Sequence, residues 1–205
     1  MTKLIFPSLI YSKPLASPLV MKRLIKELKS EAFHLETVDE DGKKWSETNY
    51  PSGYTSYSSY DQLHRLSSTF GQVEKYLQKH IASFVKLTEM NIKPGELHLS
   101  SCWVNIMPPG AFHSMHLHPL STISGTLYLD VPPKSPGIKF EDPRQGLFMA
   151  SPPRKENAKP ENQRFFLLQP KVGDVVLFES WMRHEVPINR SGKKRVSVSF
   201  NFDWR

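Results

Sequence analysis

The hydrophobic rhythm of the chain changes near Pro94-Gly95. Before that point apolar residues recur three and four apart; after it they alternate with polar ones over short runs. Val20, Leu24, Ile25 and Leu28 share one helical face, and Ser17 followed by Pro18 supplies an N-cap with proline in the first helical position. The spacing predicts a helix over 18–33. Phe70, Val73, Leu77, Ile81, Phe84 and Val85 predict a second helix over 69–90. Between the two, Tyr50-Pro51-Ser52-Gly53-Tyr54 and Tyr57 form a turn-rich segment, suited to a loop that covers a pocket.

Beyond Glu96, β-branched and aromatic runs separated by proline and glycine predict strands over 97–107, 122–130, 164–169, 173–178 and 195–203. The stretch from Pro132 to Pro160 holds seven prolines. It reads as a long excursion within one domain, with short strands at 138–141 and 146–149. The expected organisation is a single domain over 1–205, with a helical N-terminal part over 1–93 and a β-rich core over 94–205 that carries the site. No internal repeat is apparent.

The last strand separates two kinds of side chain. Arg195, Ser197, Ser199 and Asn201 share one side; Val196, Val198, Phe200 and Phe202 share the other. The polar side could face bulk water, as in an ordinary half-buried sheet. Alternatively it lines the inside of a barrel while the apolar side packs under the helices, and the histidines described next favour that arrangement. Trp103, Asn105 and Met107 share one strand face, and Thr126 and Tyr128 another, as further candidate pocket linings.

The candidate chemistry lies in His116-Leu117-His118, His184, and the Arg195 and Ser197 pair. Three imidazoles suit iron, zinc, copper or nickel, and strand alternation points His116 and His118 to one side. A guanidinium is a fixed fork of donors that pairs with a carboxylate, and a serine two residues along can reach the same anion. His113 matches the parity of neither His116 nor His118, so a surface or pocket role is expected for it. The same is expected for His34, His64, His80 and His98.

The formal charge of +7 favours an anionic ligand, but the cations are spread along the chain, and nucleic acid is not expected as a partner. The lone Cys102 excludes an internal disulfide and reads as a core thiol in a reducing compartment. Pro7 and Pro14 interrupt an N-terminus without a long apolar run, so neither signal peptide nor membrane span is expected. A cytoplasmic protein follows as the expectation, and a homo-oligomer is left open.

Asn105-Ile-Met-Pro-Pro-Gly-Ala-Phe-His-Ser-Met-His116-Leu-His118, then Ser124-Gly-Thr-Leu-Tyr128-Leu, Gly173-Asp-Val-Val-Leu-Phe178, His184 and Arg195-Val-Ser197 resemble the 2-oxoglutarate- and Fe(II)-dependent dioxygenases. Within that superfamily they look most like the uncharacterised branch with a His-x-His-Pro segment followed by Ser-Gly. The resemblance covers about the last half of the chain. It implies a mainly β fold, a double-stranded β-helix or jelly roll, with the N-terminal α-helices packed on one sheet. It also implies Fe(II) and 2-oxoglutarate as cofactors. His116 and His184 would correspond to the two histidine ligands, and Arg195 with Ser197 to the Arg-x-Ser pair that holds the distal carboxylate. Asn105 stands eleven residues before His116, where the DNA-alkylation-repair members carry a cosubstrate-binding asparagine, and Tyr128 occupies a strand position used for a similar contact. His118 departs from the pattern, because most members have His-x-Asp or His-x-Glu there.

The implied activity is hydroxylation of an unknown substrate; the net charge points to an anion, and amino acid, peptide, nucleotide and small metabolite all stay open. Two alternatives stand beside it: a three-histidine cupin-type dioxygenase that does not use 2-oxoglutarate, and a non-catalytic ligand-binding module on the same fold.

Overall fold

The computed structural model describes residues 1–205, apart from the side chains at positions 147 and 148. The N-terminal part contains β1 (Tyr11–Pro14), α1 (Pro18–Val38), α2 (Glu40–Asn49), β2 (Tyr54–Thr55), α3 (Leu63–Leu66) and α4 (Ser68–Thr88). It is followed by β3 (Leu97–Met107), β4 (His113–His116), β5 (Ile123–Asp130), β6 (Ile138–Glu141), β7 (Phe165–Leu168), β8 (Asp174–Glu179), β9 (His184–Val186) and β10 (Arg195–Trp204).

α1 begins where expected, with Ser17 extended and Pro18 in the first turn, although the Ser17 side chain makes no cap hydrogen bond; the helix buries Met21, Leu24, Leu28 and Ala32. α4 is capped by the Ser67 hydroxyl, which accepts from the amides of Thr69 and Phe70, and it ends at Glu89 in the left-handed region at φ 54°. α2 is an element without an apolar stripe: Asp39 caps it through the Gly42 amide, and its buried residues are Gly42 and Ser46.

Ten strands form two antiparallel sheets. The larger runs β1-β8-β5-β10-β3-β2 and the smaller β4-β9-β6-β7. The two sheets pack as a jelly roll, with Tyr128, Val176 and Phe178 of the larger meeting Ile138 and Phe140 of the smaller. On the outer face of the larger sheet, Val196, Val198, Phe200 and Phe202 join Leu24, Leu28, Phe70, Val73, Leu77 and Phe84 in one core. Of the two readings of β10, the barrel reading is therefore the one the fold adopts. Gly125 is required beneath this core, because a Cβ there would stand 2.5 Å from the Phe200 ring.

Three expectations are corrected. Residues 146–149 form no strand but belong to a 3-10 helix, Gln145–Met149. The chain turns sharply on leaving β6, where the Arg144 amide donates to the Asp142 carboxylate at 2.9 Å and the Gln145 amide to the Pro143 carbonyl at 2.8 Å, so no extended run follows. The part read as helical also contributes two strands, β1 and β2, one at each edge of the larger sheet. Finally, His64 and His80 are buried at 7% and 5% exposure instead of lying at the surface or in a pocket. His80 falls between Leu77 and Ile81 on the buried face of α4, where one ring nitrogen meets the Tyr11 hydroxyl at 2.8 Å and the other the Leu15 carbonyl at 2.9 Å.

Candidate metal and cosubstrate site

The smaller sheet assembles the histidines. His116 in β4 lies directly opposite His184 in β9, and His184 in turn lies opposite Phe140 in β6. His118 is beyond the end of β4, so strand alternation does not place it. Instead its amide donates to the carbonyl of Ser180 at 3.0 Å. The Ser180 hydroxyl donates to the Ser124 oxygen at 2.7 Å, and the Ser124 hydroxyl donates in turn to Asn201 Oδ1 at 2.8 Å. The candidate ligand atoms of His116, His118 and His184 all lie within 4.8 Å of one another.

Each backbone-anchored ring is oriented for a metal. Nδ1 of His116 lies 2.7 Å from the Ser114 carbonyl and Nδ1 of His184 2.9 Å from the Met182 carbonyl. A carbonyl can only accept, so in the neutral ring Nδ1 carries the proton and Nε2 presents a lone pair. Burial lowers the pKa of all three imidazoles. His118, additionally repelled by His116, is lowered to about 4, and His184 is held well below its ordinary value. All three are thus neutral near pH 7, the state that ligation needs.

The larger sheet brings the candidate clamp residues together by register. Asn105 in β3 is opposite Ser197 in β10, and Ser197 is opposite Tyr128 in β5, so three residues far apart in sequence form one row. Arg195 begins the same polar face. It is 3% exposed, with its guanidinium 4.9 Å from the centre of the Tyr128 ring and, among the described residues, no ion pair. Nε of Arg195, the hydroxyl of Tyr128 and Oδ1 of Asn105 are buried without hydrogen-bond partners of good geometry. A buried cation with orphaned polar neighbours costs several kcal/mol unless an anion joins it. Here 2-oxoglutarate fits in chemical kind. The free space is only about 30 Å³, so its binding requires side chains to shift, and Arg195 has no counterion to hold it back.

Beside the residues singled out from the sequence, Tyr50, Ser124 and Ser180 also belong to the site, and His113 takes the pocket role expected of it. The His113 ring stacks on His116 at 4.3 Å, because a register irregularity between them defeats the parity argument. Tyr50, 2% exposed, packs on His113 at 5.0 Å, and Tyr57 packs on Trp103 at 5.0 Å. The turn-rich segment does therefore cover the pocket. Ser124 and Ser180 carry the link to His118. The Ser-Gly motif was the available signal for Ser124, and Ser180 had none. Cys102 is fully buried on the outer face, and burial pushes its thiol up, away from reactivity.

Two stacked antiparallel sheets enclosing a histidine trio and a buried arginine define a metal-dependent oxygenase of the jelly-roll type. Residues 101–201 match the family described as "Putative 2OG-Fe(II) oxygenase", a span that includes every residue of the trio and of the clamp. That match covers just under half of the chain, and with the fold it identifies a 2-oxoglutarate-dependent oxygenase with Fe(II) and 2-oxoglutarate as cofactors. The fold is similar to that of a Pseudomonas putida prolyl-4-hydroxylase, at 17% identity over 96% of this chain and 92% of that one, with a TM-score of 0.62. It is also similar to HygX from Streptomyces hygroscopicus with nickel and 2-oxoglutarate bound, at 12% identity, 96% and 83% coverage and a TM-score of 0.62. A viral collagen prolyl hydroxylase from Paramecium Bursaria Chlorella virus-1 gives 12% identity, 94% of both chains and a TM-score of 0.59. At these identities the likeness is one of fold. No curated protein matches the chain in sequence. No helix among the described residues is long and apolar enough to cross a membrane.

Proposed function

We propose that the protein hydroxylates a small anionic substrate at a metal held by His116, His118 and His184, with 2-oxoglutarate bound by Arg195, Ser197, Tyr128 and Asn105. The observation that carries this reading is the pairing of two unfinished groups. Three neutral imidazoles converge within 4.8 Å, and beside them lies a buried arginine without a counterion. Iron with 2-oxoglutarate and dioxygen would supply the oxidative chemistry, with one oxygen atom going to the substrate C–H bond and the other to succinate as CO2 is released.

The chain's own residues set the conditions. The Ser114 and Met182 carbonyls fix two imidazole tautomers, and Ser180 fixes the third ring's backbone. Phe178 and Phe140 pack against His184 at 4.6 and 5.9 Å, which keeps water from that side of the trio. Arg195 and the Tyr128 hydroxyl receive a carboxylate, and Ser197 adds a donor from the same row. The trio contains no carboxylate, so a bound ion keeps one more positive charge than with the usual two histidines and an acid. That charge favours anionic partners at the metal.

The test is calorimetry with Mn(II) and then 2-oxoglutarate. Sequential binding, with the second event dependent on the first, is expected. A protein that binds neither would sink the proposal.

A further inference from the structure

A groove of about 570 Å³ opens beside the histidine trio, and His113 and Val186 line both this groove and the metal pocket. Anything seated in it therefore reaches toward the trio. Part of its lining is apolar and open to solvent: Phe112, Leu167 and Ile188 are 38%, 55% and 49% exposed. Clustered apolar exposure at the mouth of a pocket of this size is what small-molecule sites present.

The polar lining is unbalanced in charge. Lys134 and Arg190 border the groove, and among the described residues neither has a hydrogen bond or an ion pair. The acid of the lining, Glu185, is matched by Lys139 at 2.8 Å, which leaves both cations uncompensated. Between them in character sits Ser135, a lining residue 5% exposed, whose hydroxyl is buried behind the groove wall with no partner. Its backbone is held on both sides. The Ser135 amide donates to the Pro132 carbonyl at 3.0 Å, and its carbonyl accepts from the Gln169 side chain at 3.3 Å. Lys134 takes φ 67° in the same turn, a conformation that L-residues avoid unless the surroundings impose it. Gly137 is required next to it, because a Cβ would stand 2.2 Å from the Leu168 carbonyl oxygen. The turn thus presents a buried hydroxyl and a lysine from a fixed backbone.

We propose that this groove is the primary-substrate site and that it takes a small amphipathic anion. The apolar body lies on Phe112, Leu167 and Ile188, and a carboxylate or phosphate is held by Lys134, Arg190 and the Ser135 hydroxyl. The end remote from the anion points past His113 to the trio. Only the position of the reacting bond rests on the metal reading above; anion recognition stands on the groove's own residues.

The test is calorimetric titration of the full chain with three probes that share a phenylalkyl body: 4-phenylbutyrate, 2-phenylethyl phosphate and the neutral 4-phenylbutyramide. Wild-type protein is expected to bind an anion about tenfold more tightly than the amide, as two nearby surface cations allow. The better of the two anions distinguishes a carboxylate from a phosphate ligand. Lys134→Glu/Arg190→Glu, at two exposed positions, removes the preference, and Ser135→Ala weakens the anions about threefold without affecting the amide. Arg195→Ala leaves the preference intact. Equal binding of anion and amide, no binding of either anion, or a preference that survives the double charge reversal overturns the proposal. So does a preference lost in Arg195→Ala, which would move the probe to the inner pocket. Failure of the metal reading is visible separately, as absence of Mn(II) binding by wild-type protein, and these titrations keep their meaning in that event.

Discussion

His80 beneath the helices and His184 between the sheets are buried to the same degree, at 5% and 4% exposure, and burial lowers the pKa of both. They differ in the second ring nitrogen. In His80 both nitrogens are engaged, one with the Tyr11 hydroxyl and the other with the Leu15 carbonyl. In His184 one nitrogen is fixed by the Met182 carbonyl, and the rest of the ring faces His118, stacked at 5.2 Å, and His116 at 4.3 Å. A histidine with both nitrogens satisfied locks a helix to a strand. One with a single nitrogen satisfied, among others of its kind, is an electron-pair donor without an acceptor.

The sharpest way to break this contrast is to exchange the two losses. His184→Ala is expected to reduce Mn(II) affinity at least a hundredfold, since loss of a ligand exceeds the 10–100-fold typical of its supporting shell. His80→Ala should leave that affinity unchanged, and titration of both variants checks the pair. Comparable losses in the two would erase the distinction. Arg195→Ala probes the neighbouring clamp. It should weaken 2-oxoglutarate roughly 10–100-fold, the equivalent of one or two hydrogen bonds to a charged group, with Mn(II) binding retained. Unaltered 2-oxoglutarate affinity would remove Arg195 from the clamp.

On the structural side, His80→Ala strands the Tyr11 hydroxyl and the Leu15 carbonyl and should cost about 2–4 kcal/mol of stability, measured by urea denaturation. The smallest effect concerns pH. The folded-state pKa of His80 is below its unfolded value, so below about pH 6.5 the unfolded chain takes up a proton that the folded one refuses. Stability is therefore complete above that pH and declines as the medium becomes more acid. The decline between pH 7 and 5 should be shallower in His80→Ala than in the wild type. An equal slope would show that His80 is not the group responsible.

What could be read from the sequence was whatever repeats over a long enough run. β3 and β10 span 11 and 10 residues, and their alternation fixes both the strand and its two faces. The row joining Asn105, Ser197 and Tyr128 is a consequence of register, yet each member was already visible on a polar strand face. Short elements give no period. β1, β4 and β9 have four, four and three residues, too few for alternation to stand out from chance. α2 was hidden for a different reason: it has no apolar face, and a buried aspartate cap takes the place of one. His113 shows how a single irregularity in a strand reverses the side a residue faces. His118 reached the trio by a route that alternation does not describe, through the serine that receives its amide.

β10 lies in the middle of the larger sheet, between β5 and β3, although it follows both of them in the chain. Until residues 195–204 are available, β3 and β5 have no common neighbour, the outer core lacks Val196, Val198, Phe200 and Phe202, and the clamp lacks Arg195 and Ser197. During synthesis, then, β3 and β5 keep one edge unpaired until β10 has been made. A chain truncated shortly before Arg195 should be protease-sensitive in β3 and β5, the two strands that lose their shared neighbour.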